Sequence, residues 1–404
     1  MAICALRNFY LLEWSVQHCF PSGNELFLKV KTLPYTRRQH LGPEVFLRQQ
    51  LSQHPCRTYR PENAALFILP SIFGLLYNGF SSCNLTYVFG EFSRELQKSW
   101  WYHRNNGSDH LLVVSGWQAQ QLILNPELAF RTIRDKYSCT SFRLYMVKKF
   151  ARAAREFIST SHLRAGGVFN GWRWSPETAK IFPIPYLAPS ILQFCKYNAT
   201  TGQVVCKVQY SRRQPGFQYI LFFVGNLARK GAAIRSSLVL RTHEHLRQSA
   251  LASTTFISGL RKCNTSTPFH SCILPNLSDA FYHRFYSESL FSVHMRGDDS
   301  SSSRFYDALS FGSPQIVVAD RFLTDGAPFV DTINYKNFVN FVPESDVLES
   351  QLELYAVTNR FLEDEGAYQS LVNNQTMYMH DLLWHVSGSK VGHNIIKEAL
   401  NYLT

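Results

Sequence analysis

Short, fully apolar runs that stop at glycine, proline or serine recur along this chain, with stretches of helical periodicity between them. Ala64–Leu69 stops at Pro70, Leu111–Val114 at Ser115–Gly116 and Tyr219–Val224 at Gly225, and Leu290–Met295, apolar but for Ser292 and His294, runs into Arg296–Gly297. A strand that shows no apolar/polar alternation is buried on both faces, and parallel sheets covered by helices supply that environment. The order predicts an α/β protein with largely parallel sheets and loops gathered at the carboxyl ends of the strands. No internal repeat or low-complexity tract interrupts it. Helical stretches are expected near Glu91–Trp101, over Leu144–Ile158, before Phe311 and toward the C-terminus, and a further strand at Gln315–Ala319.

With 404 residues, 45% of them hydrophobic, the chain exceeds a single core, which stops growing near about 250–300 residues. A charged fraction of 17% and an aromatic fraction of 14% exclude a disordered chain. The segment Thr178–Pro215, with Pro183, Pro185 and Pro189, sets the domain boundary. Residues 1–24 are expected to be a stem remnant, 25–210 an N-terminal α/β domain, 211–385 a C-terminal one, and 386–404 a terminal helix. Two such halves leave a cleft that faces the carboxyl ends of both sets of strands.

Forty-one Lys and Arg against 29 Asp and Glu give a formal net charge of +12, which suits an anionic partner or a solubilising basic surface. With no arginine-rich run, zinc-finger spacing or RNA-recognition signature, nucleic acid is not expected. None of the nine cysteines forms a C-x-x-C pair, so zinc and thioredoxin-type chemistry are not indicated. Cys195 and Cys206 flank a turn between strand-like stretches, and Cys263 and Cys272 flank a second loop; both pairs are candidate disulfides. Six N-x-S/T sequons, at Asn84, Asn106, Asn198, Asn264, Asn276 and Asn374, are candidate glycosylation sites. Cysteines and sequons together favour an oxidising compartment. Met1–Cys19, broken by Arg7, Glu13 and His18, is neither signal peptide nor anchor, so the chain is either soluble in the cell or starts downstream of its anchor.

Three constellations carry candidate chemistry. From Met295 to Leu309 a strand end, a Gly- and Ser-rich loop and a helix start follow in order, and the free amides and positive dipole of such a helix start bind anions. Ser302 and Ser303 add donors. On the helix, Phe305, Ala308 and Leu309 share an apolar face while Arg304 and Asp307 are expected to point into the cleft. There an arginine suits a diphosphate and a carboxylate suits the hydroxyls of a ribose or sugar. A capped helix with an exposed i,i+3 ion pair fits the same residues. Second, Gly225 closes a buried strand and is followed by Arg229, Lys230 and Arg235, which fit a phosphate cradle or a solvated basic loop. Third, Trp101–His110 gathers Arg104, Asp109 and two imidazoles at a strand entrance. Asp109 or His110 there is a candidate general base, or an ordinary buried polar residue. Asp298–Asp299 lacks a third ligand, so no metal site is expected.

In this order these segments resemble the exostosin-like glycosyltransferases. Arg57–Pro70 is similar to that family's R-T-x-x-P-x-x-A-x-x-F-x-x-P stretch, and Arg104 with Gly107–His110 to its W-x-R-x-x-G-x-D-H segment, with Trp101 close by but out of register. Phe223–Arg235 resembles its strand, glycine and I-R element, and Tyr286–Asp320 its Arg-Gly loop followed by Ser-x-Arg-x-x-Asp-Ala. The resemblance implies a GT-B fold of two Rossmann-like domains. It implies inverting transfer of a hexose or pentose from a nucleotide diphosphate sugar, as donor substrate and with no cofactor, to a glycan or polysaccharide acceptor. Arg304 and Asp307 would hold the donor, Arg229 and Arg235 its diphosphate, and Asp109 or His110 would act as base. Family members work in the Golgi lumen as type II membrane proteins, so an anchor missing from this chain is expected, and a homo- or hetero-oligomer with another glycosyltransferase fits the family. The chain departs at Ser292 and Met295, where the family often has Cys and Pro, and at Asp307, where Glu is commoner. The alternative is a catalytically silent member that binds acidic glycan or partners an active transferase.

Overall fold

Two parallel sheets organise the chain, as the uninterrupted apolar runs predict. The structure is a computed structural model that describes residues 8–12, 15–20, 22–69, 75, 83, 85–105, 107, 109–114, 164–167, 181–207, 218–226, 234–238, 255–260, 278–297, 300–349 and 352–401. The first sheet contains β1 (Phe9–Leu11), β2 (Arg57–Thr58), β3 (Leu66–Ile68), β4 (His110–Val114), β5 (Arg164–Gly167) and β6 (Ile181–Pro183), in the order β2-β1-β3-β4-β5-β6. After the hairpin of β7 (Cys195–Asn198) and β8 (Gln203–Cys206), the second sheet follows the order β10-β9-β11-β12-β13. Its strands are β9 (Tyr219–Asn226), β10 (Thr255–Leu260), β11 (Ser289–Met295), β12 (Gln315–Val318) and β13 (Val339–Phe341). Every pairing within the two large sheets is parallel.

Both sheets wind alike: the second strand lies on one side of the first, and the third and later strands on the other. Winding reverses between β1 and β3 and between β9 and β11, so each sheet opens a crevice at the carboxyl ends of those strands. This is the two-domain, Rossmann-like architecture expected of a GT-B fold. All residues of β3, β11 and β12 are buried, which is why their sequences show no alternation.

The segment expected to be a stem supplies a strand with a partner on each side: β1 pairs with both β2 and β3, and Phe9 is fully buried. The helices used below are α1 (Gly23–Thr32), α2 (Tyr35–Ser52), α3 (Trp100–Arg104), α4 (Asp279–Glu288), α5 (Ser303–Ser310) and α6 (Val391–Asn401). A capping box starts α1: the Ser22 hydroxyl accepts from the Glu25 amide and the Glu25 carboxylate from the Ser22 amide, both at 3.3 Å. Helix α6 packs on α2 of the first unit. There Gln50 Oε1 accepts the Gly392 amide at 2.8 Å, while its Nε2 donates to the Trp384 carbonyl and the Ser389 hydroxyl. Beside it His54 Nδ1 accepts the Cys56 amide at 3.1 Å, so Nε2 carries the hydrogen and donates to His393 Nδ1 at 3.3 Å.

The Cys195–Cys206 disulfide is present across the β7–β8 register, with Asn198 exposed at its turn. A second bond joins Cys19 and Cys83, and Cys56 is also disulfide-bonded. Cys263, Cys272 and the sequons at Asn84, Asn106, Asn264 and Asn276 lie outside the described residues, as does the helix expected over Leu144–Ile158. Asn374 is half-buried, and its side-chain amide donates to the Asn337 carbonyl at 3.1 Å. Among the described residues no helix is long and apolar enough to cross a membrane.

Asp109 and His110 do not face the cleft. They stand at the amino end of β4, whereas the crevice opens at the carboxyl ends. Asp109 Oδ2 accepts from Arg104 Nε and Nη2 (3.2 and 3.0 Å) and from Asn105 Nδ2 (2.7 Å), and Oδ1 faces His110 Nδ1 at 2.8 Å. Burial raises the Asp109 pKa, but the bonds from His110, Asn105 and Arg104 outweigh it and hold the carboxyl below its usual value. The His110 ring is fully buried and stacked on Phe67 at 4.8 Å. A carboxylate with its lone pairs engaged and no solvent access ties α3 to the sheet and is not placed to take a proton from an acceptor.

Two outcomes follow for stability. Asp109→Ala strands the Arg104 and Asn105 donors and should cost about 3 kcal/mol in urea unfolding, whereas a loss below about 1 kcal/mol would make the cluster incidental. Burial, reinforced by His393, pushes the His54 pKa from 6.5 down to about 4. Between those values the unfolded chain holds a proton that the folded one lacks, so stability present above pH 6.5 is lost as pH falls toward 4. His54→Asn should therefore flatten the decline in unfolding free energy by about 1.4 kcal/mol per pH unit between pH 6 and 4.5. Equal slopes for parent and variant would contradict the assignment.

Candidate active site

At the end of β11 the chain turns through Arg296–Gly297 and Ser300–Ser302 into α5, so the anticipated strand, loop and helix start is present. Ser302 is the N-cap, with φ −160° and ψ 164°, but its hydroxyl makes no bond to the amides of its own helix. It lies 3.5 Å from Nδ1 of His294, a buried residue of β11 whose Nε2 lies 3.0 Å from the Ser300 carbonyl oxygen. A carbonyl only accepts, so Nε2 carries the ring hydrogen and Nδ1 accepts from Ser302. Burial pushes the His294 pKa down to about 3; the Ser300 bond opposes this, and the charges of Arg304 and Arg235 add to it. The ring is neutral near pH 7.

Arg304 extends from the first turn of α5. Its Nε and Nη2 are buried without a hydrogen-bond partner, and its guanidinium carbon lies 5.9 Å from the centre of the Phe223 ring. Buried, unsatisfied cationic N–H groups are costly until an anion or acceptor meets them. Arg235, from a helical turn over 234–238, is 6% exposed and donates from Nε to the Arg296 carbonyl at 2.8 Å. Its guanidinium lies against Gly297, where an added Cβ would come within 2.0 Å of Nη2, so a side chain there would displace the arginine. Arg235 and Arg304 thus reach the same strand-end region. Arg229, Lys230, Asp298 and Asp299 lie outside the described residues.

Four expectations are corrected. Helix α5 has no wet face beyond its first turn: Phe305 through Ser310 are all buried. Asp307 is fully buried, and its carboxylate is engaged across the domain interface. Oδ1 accepts from the hydroxyl and amide of Ser190, and Oδ2 from the Tyr35 hydroxyl. Burial pushes its pKa up to about 7, with the Ser190 and Tyr35 bonds pulling the other way. The Ser303 hydroxyl is also taken, donating to Gln39 Oε1. Gly225 makes room for a ring: an added Cβ would meet Phe223 Cζ at 2.5 Å.

His294, Tyr35, Gln39 and Ser190 were not anticipated. The signal for His294 was available, a single polar ring in an otherwise apolar strand end. Tyr35, Arg38 and Gln39 fall at i, i+3 and i+4 on α2 and all reach the second unit, Arg38 through two bonds to Asp279 at 2.7 and 2.6 Å.

The Exostosin GT47 domain profile matches residues 24–358. No curated protein sequence matches significantly. Among solved structures, a protein described as a UDP-N-acetylglucosamine 2-epimerase from Listeria monocytogenes aligns over 99% of this chain and 97% of its own, at 10% identity and a TM-score of 0.34. CalG4, the calicheamicin glycosyltransferase, aligns over 97% and 98%, at 9% identity and 0.34. The glycosyltransferase SnogD from Streptomyces nogalater aligns over 99% and 100%, at 12% identity and 0.31. Scores of this size leave the strand order above as the basis for the fold. The profile match, which spans β2 through β13 and the Arg296–Asp307 segment, places this chain in the Exostosin GT47 family of glycosyltransferases.

Proposed function

We propose that this glycosyltransferase moves a sugar from a nucleotide diphosphate sugar, of the UDP class, to a glycan or polysaccharide acceptor with inversion at the anomeric carbon. One observation carries the proposal: the buried Nε and Nη2 of Arg304 lack partners at the start of a helix whose N-cap hydroxyl is turned away. A diphosphate supplies the acceptors those groups need, and the helix dipole favours the same charge. As the bond from the anomeric carbon to the diphosphate breaks, negative charge grows on the leaving oxygen, and Arg304 with the first-turn amides is placed to stabilise it. Arg235 acts through the loop, by holding the Arg296 carbonyl. The acceptor hydroxyl attacks from the opposite face; Asp109 and His110, at the amino end of β4, are not assigned the proton.

The proposal includes no cofactor, since the nucleotide sugar is a substrate. Residence in the Golgi lumen is part of it, supported by the disulfide bonding of Cys19, Cys56, Cys83, Cys195 and Cys206 and by the exposed sequon asparagine at the β7–β8 turn.

The test is thermal unfolding with UDP, GDP and their sugars, on parent and Arg304→Ala. One nucleotide at about 100 times its Kd should stabilise the parent by about 2.7 kcal/mol, and the shift should vanish in the variant. Without nucleotide, Arg304→Ala should be as stable as the parent or more so, because two buried N–H groups without partners have been removed. No shift with any nucleotide in a cooperatively unfolding parent would favour the silent, glycan-binding alternative.

A further inference from the structure

We infer that His294 is a positioning residue for the donor site: it withdraws the Ser302 hydroxyl from the helix it would otherwise cap and leaves the first turn of α5 without a side-chain acceptor, ready for the donor's phosphates to supply one. The inference rests on the donor proposal above. It starts from a conflict between sequence and geometry. Serine at an N-cap normally accepts a hydrogen bond from the amide of the second or third helical residue, here Arg304 or Phe305. Ser302 occupies that position with extended backbone angles suited to the role, yet its side chain does not perform it.

The His294 ring explains the difference. It is 1% exposed and stands edge-on to Phe305 and Phe322, with ring centres 5.8 and 5.5 Å away, so its orientation is fixed by packing. The Ser300 carbonyl at 3.0 Å holds the hydrogen on Nε2. Nδ1 is then a buried acceptor, and the Ser302 hydroxyl at 3.5 Å is its donor. A hydroxyl turned to donate inward does not place its lone pairs over its own helix start. The Phe305 amide falls back on the Ser302 carbonyl at 3.1 Å, and the positive end of the helix keeps no side-chain oxygen of its own. The same ring spans the loop from Ser300 to Ser302, so one side chain sets both the path of the loop and the polarity of the helix start that faces Arg304.

The test compares His294→Leu with His294→Gln, whose amide can donate to Ser300 and accept from Ser302. Affinity for UDP and GDP is measured by calorimetry, and exchange of the Arg304 and Phe305 amides by hydrogen–deuterium mass spectrometry or NMR. His294→Leu should bind the preferred nucleotide at least about 10-fold more weakly, while those amides exchange more slowly than in the parent because Ser302 now caps them. His294→Gln should restore affinity to within about 3-fold. Faster exchange at these amides in His294→Leu would mark a merely structural role and overturn the inference, as would unchanged affinity in His294→Leu. If the parent binds nucleotide and Arg304→Ala does not, while His294→Leu binds normally, only this inference fails. If the parent binds neither UDP nor GDP, the donor proposal fails with it.

Discussion

The carboxylate of Asp307 has no access to water, and nothing in its own domain satisfies it: Ser190 and Tyr35, both from the first unit, supply its donors. Leaving a buried carboxylate unpaired is among the costlier defects a protein can carry. The spacing of the two units is therefore tied to this one side chain. The first turns of α2 must lie against α5, and once they do, Gln39 meets Ser303 and Arg38 meets Asp279. The other end of the same helix grips α6 through Gln50 and His54. Helix α2 thus links the donor-side helix to the returning C-terminus. Its Pro43 interrupts the backbone ladder without breaking the element, which is described as one helix from Tyr35 to Ser52.

The parts of this fold legible in the sequence are those specified locally. Strands buried on both faces announce themselves as unbroken apolar runs, and β3, β9, β11 and β12 fall where those runs lie. The Cys195–Cys206 bond was legible because its partners are separated by only 11 residues and share a hairpin, whereas Cys19 and Cys83, 64 residues apart, are joined by tertiary packing alone. Strand β1 was not legible: three residues beside Arg7 and Glu13 give too short a run, and its place depends on β2 and β3 arriving on either side.

The site divides along the same line. Arg304 was legible from its position at a helix start after a Ser-rich loop, because a first-turn side chain stays near the opening whatever surrounds the rest of the helix. Asp307, one turn on, was misplaced. An amphipathic pattern read from one helix assumes that its polar face meets water, and here that face meets a second domain whose hydroxyls take the role of solvent. Gly225 was misread for a related reason. Glycine marks a place where something comes close, but sequence does not say whether the visitor is a phosphate or, as here, the ring of Phe223 two residues earlier.

Arg304 and Asp307 are spaced to pair with each other, and on an exposed helix an i,i+3 ion pair would be worth only about 0.3–0.5 kcal/mol. The interface separates them. Ser190 and Tyr35 draw the carboxylate toward the first unit, while the Arg304 guanidinium lies toward Phe223 with two nitrogens unmet. Had the two paired, an incoming anion would first have to displace an internal carboxylate and leave it unpaired in a dry setting. With the carboxylate satisfied elsewhere, an anion reaching the cation would meet no such competition. The turned-away Ser302 hydroxyl has the same consequence for the helix amides: in both cases the group that would satisfy the positive end internally is bound to another part of the protein. A binding region assembled this way is less stable when empty than it need be, and that deficit is available to an anion that fills it.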